Sequence, residues 1–330
     1  MKIEQCYELM NEWTKDSIPY LFIIDFDQKE PLLYKLSELN RADSPVYYHF
    51  PHLNNNHFFH SDGCITQPSI KAQVTAEAKE RYIASFNKAQ TLMHQQKVDV
   101  INLTKSTPLN IEGDLNDIYK RASAKYKVLL KDKFVCCTPE IFIRIDQDGN
   151  ISTYPMKGTI DANIPNAQKI IIENEKEEQE HRATANLLVE ELKHIAQHVE
   201  IKRYRYLDRL TTSDKDLYQV SSEVVGDLID NYKTNLGDLF KELLPAGSIL
   251  GSPKETAHDV IRAVEEHTRG YYTGICGIFD GTTLDSCVLI RFIEKDDLGY
   301  CYKSGGGITL KSNGDNEYQE TLNKIYVPLD

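Results

Sequence analysis

The sequence predicts an α+β fold in one extended domain. Two pairs of strand-like runs are joined by turns that contain Asp-Gly, at residues 146–150 and 280–281, and turns of this composition are typical of β-hairpins. Several segments between the strand-like runs carry apolar residues at helical spacing, which predicts amphipathic helices. The composition does not shift along the 330 residues, which favours one domain over two.

The elements of the first half follow from the same two patterns. Residues 1–70 contain a predicted helix and then strand-leaning structure, with apolar runs at residues 21–24 and 46–48. We predict an amphipathic helix over residues 75–96, because an apolar stripe recurs at helical spacing from Tyr82 to Met93. The other predicted elements are strands at residues 98–104, 126–130, 134–137, 141–145 and 151–154 and a short helix at residues 115–121.

The second half begins with the strongest predicted helix, over residues 174–199. An apolar stripe from Leu188 to Val199 predicts it, and Glu180 lies on the rim of that stripe. A later helix, from residue 254 to about residue 267, is predicted to begin near Pro253. The other predicted elements are strands at residues 201–210, 217–225 and 300–304, a hairpin of residues 271–279 and 284–292, and helices at residues 236–244 and 314–326.

Composition and charge exclude several classes of function. Hydrophobic residues make up 41% of the chain and charged residues 27%, as in soluble globular proteins. The net charge of −12 argues against nucleic acid or an anionic membrane as the main partner, because both bind basic patches. No apolar run approaches the ~20 residues that span a bilayer, and the first residues lack an apolar signal core. We therefore expect a cytoplasmic protein without a membrane partner.

Neither the cysteines nor the histidines form a recognisable metal pattern. The seven cysteines are odd in number and include no C-x-x-C pair, so we predict that they are reduced and structural. Four histidines lie close together in the sequence, but their spacing matches no ligand pattern and no carboxylate accompanies them. A polar loop is therefore favoured over a metal site at His49, His52, His57 and His60.

The first hairpin brings a carboxylate and an amine together. Glu140 precedes the hairpin and Lys157 follows it, so we expect both near one end of the same ladder. An acid and a primary amine held on rigid backbone can perform proton transfer or nucleophilic attack. A surface salt bridge is the commoner occurrence of such a pair, and the hairpin alone favours it.

Other charged or flexible residues interrupt apolar elements further on. Arg291 ends an apolar strand, where its guanidinium requires an anion. Gly305-Gly306-Gly307 follows a strand and offers free backbone N–H groups suited to a carboxylate, although three glycines also form ordinary flexible turns.

A charged pair on the last helix completes the set. Glu320 and Lys324 have the i, i+4 spacing of an ordinary surface pair. Together with Glu180, Glu140, Lys157 and Arg291, they would form a site of three carboxylates and three cations. Such a site suits a dianionic ligand and one divalent cation, for example Mg²⁺, which binds one or two carboxylates and keeps several waters.

A series of short motifs stands in one order between about Arg81 and Lys324. The motifs are Ile101-Asn-Leu-Thr104, Thr138-Pro-Glu140, Pro155-Met-Lys-Gly-Thr159, Glu180-His181, Pro245 to Lys254, Arg269-Gly-Tyr-Tyr-Thr-Gly274, Ile290-Arg291, Gly305-Gly-Gly307 and Glu317-Tyr318 to Lys324. Each motif is weak alone, but in this order they resemble the chorismate-utilising enzymes. That family includes anthranilate synthase component I, aminodeoxychorismate synthase component I, and the isochorismate and salicylate synthases.

The resemblance implies a fold and a set of roles. It implies a two-layer antiparallel-sheet fold of the anthranilate synthase component I type, with helices on the outside and the active site in the cleft between the layers. We expect residues 1–70 to form a short N-terminal region packed on a chorismate-binding catalytic domain at residues 71–330. Glu180 and Glu320 match the Mg²⁺ ligands, and Glu140 matches the acid/base carboxylate beside the ring hydroxyl. The implied substrate contacts are Gly158, Thr159, Tyr272, Arg291, Gly305, Gly306, Gly307 and Lys324.

Lys157 separates the branches of the family. Anthranilate synthases resemble this chain here but carry a small residue, whereas aminodeoxychorismate synthases carry lysine. In that branch the lysine is thought to attack carbon 2 of the ring while the 4-hydroxyl leaves, and ammonia then enters at carbon 4 and expels the lysine. The resemblance therefore favours aminodeoxychorismate synthase component I, a step toward 4-aminobenzoate and folate, and an inert lysine is the competing interpretation.

The source of the ammonia and the expectation of no feedback site are both inferred from motifs that the sequence does not contain. The sequence contains no Gly-x-Cys-x-Gly elbow, so ammonia is expected from a separate glutamine amidotransferase subunit. Tryptophan-binding elements of larger relatives are not evident, and no feedback site is predicted. The chain also departs from the family at residues 186–191 and at Gln219, where relatives carry histidine. Anthranilate synthase component I, another chorismate-converting enzyme, and a non-catalytic homologue that binds a glutaminase remain as alternatives.

Overall fold

The computed structural model describes residues 1–59, 69–211 and 216–327. The helices within these ranges are α1 (Ile3–Lys15), α2 (Leu36–Leu39), α3 (Ala76–Gln96), α4 (Leu115–Arg121), α5 (Ala167–Ile172), α6 (Glu175–Lys193), α7 (Asp230–Lys233), α8 (Leu236–Leu243), α9 (Gly247–Leu250), α10 (Lys254–Val264) and α11 (Gly314–Asn323), with a 3₁₀ turn at Asn56–Phe58. The strands are β1 (Tyr20–Ile24), β2 (Leu32–Lys35), β3 (Val46–Phe50), β4 (Leu53–Asn54), β5 (Ser69–Ala72), β6 (Val100–Glu112), β7 (Tyr126–Leu130), β8 (Phe134–Thr138), β9 (Ile141–Ile145), β10 (Asn150–Thr153), β11 (Met156–Asp161), β12 (Ala196–Thr211), β13 (Asp216–Leu228), β14 (Gly251–Ser252), β15 (Ile275–Phe279), β16 (Leu284–Val288), β17 (Phe292–Asp296) and β18 (Gly299–Thr309).

The strands form two antiparallel sheets. The strand order of the first sheet is β11-β13-β10-β9-β16-β15-β1-β2, and β12 pairs with β13. The order of the second is β14-β6-β18-β17-β8-β7-β3-β4, and β5 pairs with β6. The predicted α+β fold of antiparallel sheets is therefore confirmed, and both predicted hairpins are present as β9–β10 and β15–β16.

Alternation along β1 shows how the layers pack. Leu21 and Ile23 contribute to a core that also contains residues of the second sheet, such as Tyr48 and Phe134. Phe22 belongs instead to a core shared with helices α1, α3, α8 and α10. Because successive side chains of a strand point to opposite faces, the first sheet lies between the second sheet and these helices.

The outer face of the second sheet carries a third core, to which α4 contributes. Leu115 and Ile118 of α4 pack with Val135 of β8 and Tyr302 of β18. Helices therefore lie on the outside of both sheets, as the resemblance implied. None of the helices in the described ranges is long and apolar enough to cross a membrane.

The N-terminal residues contribute strands to both sheets. Strand β1 pairs with β15 and β2 in the first sheet, and β3 pairs with β7 in the second. The boundary that we expect near residue 70 remains a prediction. The six cysteines within the described ranges are buried and free, as expected, whereas Cys64 and His60 lie outside those ranges.

Three predicted helices run too far, because those expected to end near residues 199, 267 and 326 end at Lys193, Val264 and Asn323. The structure ends α6 at Lys193, and Ala196 already pairs with Leu228 of β13, so the predicted helix over residues 174–199 is wrong beyond residue 193. Val199 is β-branched and suits a strand as well as a helix, and β13 supplies the partner that favours the strand. By contrast, the predicted helix at residues 75–96 is confirmed, with Thr75 accepting a hydrogen bond as its N-cap.

Candidate functional site

A β-bulge places Lys157 at the edge of the first sheet. Met156 pairs with Ser221 and Thr159 with Gln219, so β11 has one residue more than β13 between these pairs. The bulge contains Lys157 and Gly158, and Gly158 has a φ of +80°, which favours glycine. Bulges redirect side chains and are common beside active sites.

The amine of Lys157 lies between the two sheets. Its Nζ is 3.8 Å from Oε2 of Glu180 on α6. A Cβ placed on Gly307 of β18 would lie 3.7 Å from the same Nζ. The edge strand of the first sheet therefore meets the glycine run of the second sheet at Lys157.

The glycine run forms part of a strand rather than a loop. Gly305, Gly306 and Gly307 pair with residues 104, 103 and 102 of β6, so the alternative interpretation as a flexible turn is wrong. The pairing of β17 with β18 ends at Phe292 and Lys303, which leaves the other edge of the glycine run open. Alternate residues of an antiparallel strand direct their N–H and C=O to the same side. Lys324 Nζ donates to Gly305 O at 2.9 Å, so the open edge faces α11.

Glu140 lies between β8 and β9, within the electrostatic range of the same cations. Burial raises the pKa of its half-buried carboxyl above the ordinary value, although Arg291, Lys157 and Lys324 act in the opposite direction. Tyr272 is buried nearby: burial raises the pKa of its hydroxyl most, and Arg291 and Glu140 also influence it. The acid and the amine expected at one end of the hairpin thus interact, together with Arg291 and Lys324.

Arg291 lies in the short connection between β16 and β17 rather than within a strand. Its φ of +53° is unusual for a residue with a side chain, and its carbonyl accepts from Cys137 N at 3.1 Å. Its Nε is buried and donates to no atom of the described residues. A buried guanidinium N–H that lacks an acceptor is suited to bind an anionic ligand.

Four carboxylates from two helices lie on the side of the cleft that contains the amine of Lys157. Glu177 and Glu180 come from α6, and Glu317 and Glu320 come from α11. Burial raises the pKa of Glu177 and of Glu317, and the carboxylates of Glu180 and Glu320 raise both further. In Glu320 burial also acts to raise the pKa, but Lys324, which donates to it at 2.8 Å, lowers it overall.

This donor set fits a magnesium ion. In the described ranges, no three His, Cys, Asp or Glu side chains already converge as a preformed metal site. Mg²⁺ needs only one or two carboxylates and keeps several waters, so Glu180 and Glu320 suffice in kind and number. A divalent cation would also relieve the repulsion that Glu177 and Glu317 experience from these two carboxylates.

Sequence reasoning gave no role to Glu177 and Glu317. Each precedes a predicted metal ligand by three residues on the same helix, and residues at i and i+3 share one face. This i, i+3 spacing from the predicted metal ligands is the sequence signal that could have identified Glu177 and Glu317. A Cβ on Gly158 would lie 3.0 Å from Glu177 Oε2, so the small residue of the bulge also accommodates Glu177.

Two further predicted features lie at the rim of the cleft. Thr159 is exposed on β11, and its side chain forms no hydrogen bond within the described ranges. Gln219, directly opposite Thr159, lines a cavity of about 570 Å³ together with Met156 and Arg291. The altered segment at residues 186–191 retains a polar role, because buried Glu191 accepts from Lys254 Nζ at 2.8 Å and from Gly247 N at 3.1 Å.

A buried ion pair fixes the turn that carries Tyr272. The side chains of Arg269 and Glu265 are 2% and 4% exposed, and their charged atoms are 2.7 Å apart. Arg269 also donates to the carbonyls of Ile249 and Asn102, and Glu265 accepts from the backbone N–H of Thr104 at 2.8 Å. This network ties the turn to β6 and to α9.

We expect Glu265→Ala to lower the free energy of unfolding by about 3–5 kcal/mol, because it leaves the Arg269 cation buried without its partner. Urea unfolding followed by circular dichroism measures the change. Glu77→Ala is the control, since Glu77 and Arg81 form an exposed pair at 3.3 Å and such pairs contribute about 0–1 kcal/mol. Equal losses in the two variants would show that the buried network does not stabilise the turn.

The cleft thus combines carboxylates for a cation, cations for an anion, and an acid beside an amine, which are the features of an enzyme site for a small anionic ligand. The sequence model of the family described as chorismate binding enzyme matches residues 35–330. The chain belongs to this family.

Relatives and solved structures agree with this assignment. The chain is 39% identical over 326 residues to the "Uncharacterized PabA-like protein" of Haemophilus influenzae, covering 98% of this chain and 96% of that protein. It is 30% identical to anthranilate synthase component 1 of Saccharomyces cerevisiae (78% of this chain, 54% of that protein). It is 26% identical to aminodeoxychorismate synthase component 1 of Salmonella typhimurium (74% and 56%). A putative 2,3-dihydroxybenzoate-specific isochorismate synthase from Bacillus anthracis shares the fold, with a TM-score of 0.71, 17% identity, and coverage of 98% of this chain and 87% of that one.

Proposed function

We propose that this protein is the chorismate-aminating component of 4-amino-4-deoxychorismate synthase. It converts chorismate and ammonia to 4-amino-4-deoxychorismate and water, and a separate glutamine amidotransferase subunit supplies the ammonia. The observation that carries the proposal is Lys157, a lysine in a β-bulge whose amine faces Glu180 and the glycine run. Similarity to both anthranilate and aminodeoxychorismate synthases supports chorismate as the substrate class.

Binding of the dianion is assigned to the cations and the open strand edge. Arg291 and Lys324 hold the substrate carboxylates, together with backbone groups of Gly305, Gly306 and Gly307. Gly158, Thr159 and Tyr272 are the further contacts. Because Arg291 has a buried donor without a partner among the described residues, a carboxylate there gains a charge-assisted hydrogen bond.

Glu180 and Glu320 would hold the magnesium ion. When bound, Mg²⁺ supplies positive charge that orients a carboxylate of the substrate and offsets its negative charge near the attacking amine. Glu177 and Glu317 lie beside these ligands and would accept hydrogen bonds from waters that such an ion retains.

Lys157 and Glu140 perform the chemistry in two displacements. The neutral amine of Lys157 forms a bond to carbon 2, the two conjugated ring double bonds shift to C1=C6 and C4=C5, and the carbon 4–oxygen bond breaks. Glu140 donates a proton to the leaving hydroxyl, which departs as water, and its raised pKa favours the protonated form that this step needs. Ammonia then bonds to carbon 4, Lys157 leaves carbon 2 as the neutral amine, and Glu140 accepts the proton that the new ammonium group loses.

Product analysis tests this proposal. The protein is incubated with chorismate, Mg²⁺ and ammonium, and the products are identified by mass spectrometry and by NMR of the ring protons. We expect nitrogen at carbon 4, retention of the enolpyruvyl group and release of no pyruvate. Nitrogen at carbon 2, or anthranilate with pyruvate, would instead identify an anthranilate synthase, the alternative that the 30% identity to the yeast protein supports. Isochorismate would place the chain in a third branch of the family.

A non-catalytic homologue that binds a glutaminase is the alternative from another class. The replacements at residues 186–191 and at Gln219 favour it. Isothermal titration separates the two, because an enzyme binds chorismate in a magnesium-dependent manner, whereas a protein that only binds a glutaminase shows no heat with either ligand.

A further inference from the structure

A short segment after α11 is fixed beside Arg291. In residues 325–327, Ile325 and Val327 pack against the apolar core on the outer face of the second sheet. Tyr302, which belongs to that core, donates its hydroxyl to the carbonyl of Tyr326 at 2.9 Å. The backbone of Tyr326 is therefore held by its two packed neighbours and by a hydrogen bond, even though the residue is 42% exposed.

The guanidinium of Arg291 lies over the ring of Tyr326. The Cζ atom of Arg291 is 4.8 Å from the centre of the ring, within the range of cation–π attraction. Within the described ranges no carboxylate lies at ion-pair distance from this guanidinium, although most arginines of the cleft region have one, such as Arg144 with Asp285 and Arg203 with Glu223. An aromatic face, rather than an acid, therefore holds Arg291 in place.

Whether Arg291 is held by an aromatic residue or by a carboxylate affects how it can bind an anionic ligand. A carboxylate partner cancels the charge of a guanidinium, whereas the ring of Tyr326 and its hydroxyl, which is hydrogen-bonded to Arg291, leave that charge in place. The buried Nε–H of Arg291 has no partner within the described residues, so this donor and the positive charge stay available to a ligand. A guanidinium whose orientation is already restricted also loses less side-chain freedom when an anion binds.

We propose that Tyr326 is a positioning residue for carboxylate recognition, which acts through Arg291 by holding the guanidinium in its ligand-ready orientation. This inference rests on the proposed function, since the carboxylate is one of the two of chorismate. Tyr326 does not touch the reacting atoms, so its replacement weakens substrate binding and leaves the chemical steps unchanged.

The test compares Tyr326→Leu, Tyr326→Phe and a control variant. Isothermal titration with chorismate and Mg²⁺ gives Kd, and steady-state assays with saturating ammonium give KM and kcat. For Tyr326→Leu we expect Kd and KM to rise about tenfold with kcat changed less than about twofold. Tyr326→Phe keeps the ring but loses the hydroxyl that is hydrogen-bonded to Arg291, so it should raise Kd less than Tyr326→Leu does. Lys295→Ala removes a comparable cation–π contact, with the ammonium 5.8 Å from the centre of the Tyr300 ring, at an exposed position of β17, and should leave Kd unchanged.

A double-mutant cycle separates positioning from a merely structural role. In an Arg291→Gln background, Tyr326→Leu should have no further effect on Kd, because the group that it positions is gone. Equal effects in both backgrounds, or an unchanged Kd in the single variant, would overturn the inference.

A milder variant covers the case in which Tyr326→Leu unfolds. Tyr302→Phe removes only the hydroxyl that holds the Tyr326 carbonyl, and we expect Kd to rise about threefold with the same kcat. An unchanged Kd in this variant would equally count against the inference. If the wild-type protein bound no chorismate, the proposed function would fall and this inference with it, whereas binding that is insensitive to Tyr326 contradicts only the inference.

Discussion

Lys157→Ala is expected to reduce amination of chorismate by at least about a thousandfold, because it removes the nucleophile that splits one difficult displacement into two. The bulge at Lys157 and Gly158 is defined by the backbone, so the substitution should leave the fold and the carboxylate contacts intact. We therefore expect Kd for chorismate, measured by isothermal titration with Mg²⁺, to change less than about threefold. Initial rates of amino product formation with saturating ammonium give the loss of activity.

Lys176→Ala provides the matched control for this prediction. Lys176 also pairs with Glu180, at 3.5 Å, but its side chain is 78% exposed. It should retain wild-type activity to within about threefold, as expected for an exposed pair. A second readout is the covalent adduct: intact-mass spectrometry without ammonia should show chorismate minus water on the wild type and on Lys176→Ala, and none on Lys157→Ala. An active Lys157→Ala variant would contradict the covalent route.

Glu140→Gln is expected to slow adduct formation by about a hundredfold or more, the usual contribution of a general acid. The amide keeps the size and much of the polarity of the carboxyl group but cannot donate the proton that converts hydroxide into water as the leaving group. The measurement is the single-turnover rate at which the Lys157 adduct appears after mixing with chorismate and Mg²⁺.

The pH dependence of that rate has a defined sign. Burial raises the pKa of Glu140, so its acid form persists to higher pH than that of an ordinary glutamate. The acid form is the one required, and the rate should therefore fall as pH rises through this pKa. The fall should disappear in Glu140→Gln and remain in Glu178→Gln, whose carboxylate faces Tyr204 and Arg182 on the outer side of α6. A Glu140→Gln variant with the wild-type rate and pH profile would exclude Glu140 as the acid.

The relative positions of site residues that lie close together in the sequence could be predicted from the sequence. The hairpin places Glu140 and Lys157 at one end of the same ladder, and the helical period places Glu320 and Lys324 on one face, where they form a 2.8 Å ion pair. Both relations depend on backbone geometry over a few residues. Their assignment to a shared site came instead from the resemblance of the ordered motifs, because local periodicity carries no information about distant segments.

Three features could not be predicted in this way. The end of α6 depends on pairing with β13, because Ala196 to Val199 fit a strand or a helix until a partner strand is present. The strand conformation of the glycine run depends on β6, which lies about 200 residues earlier in the chain. The stack of Tyr326 on Arg291 joins two segments with no common sequence pattern.

The sequence by itself determined the α+β class, the two hairpins, most of the helices and the chemical groups available for a reaction, since propensity, turn residues and period act locally. Only the tertiary structure decided that the edge of one sheet meets the open edge of a strand in the other, with α6 and α11 adding four carboxylates. The physical reason is that these contacts are set by sheet pairing and core packing between segments far apart in the chain, where no local preference specifies the partner.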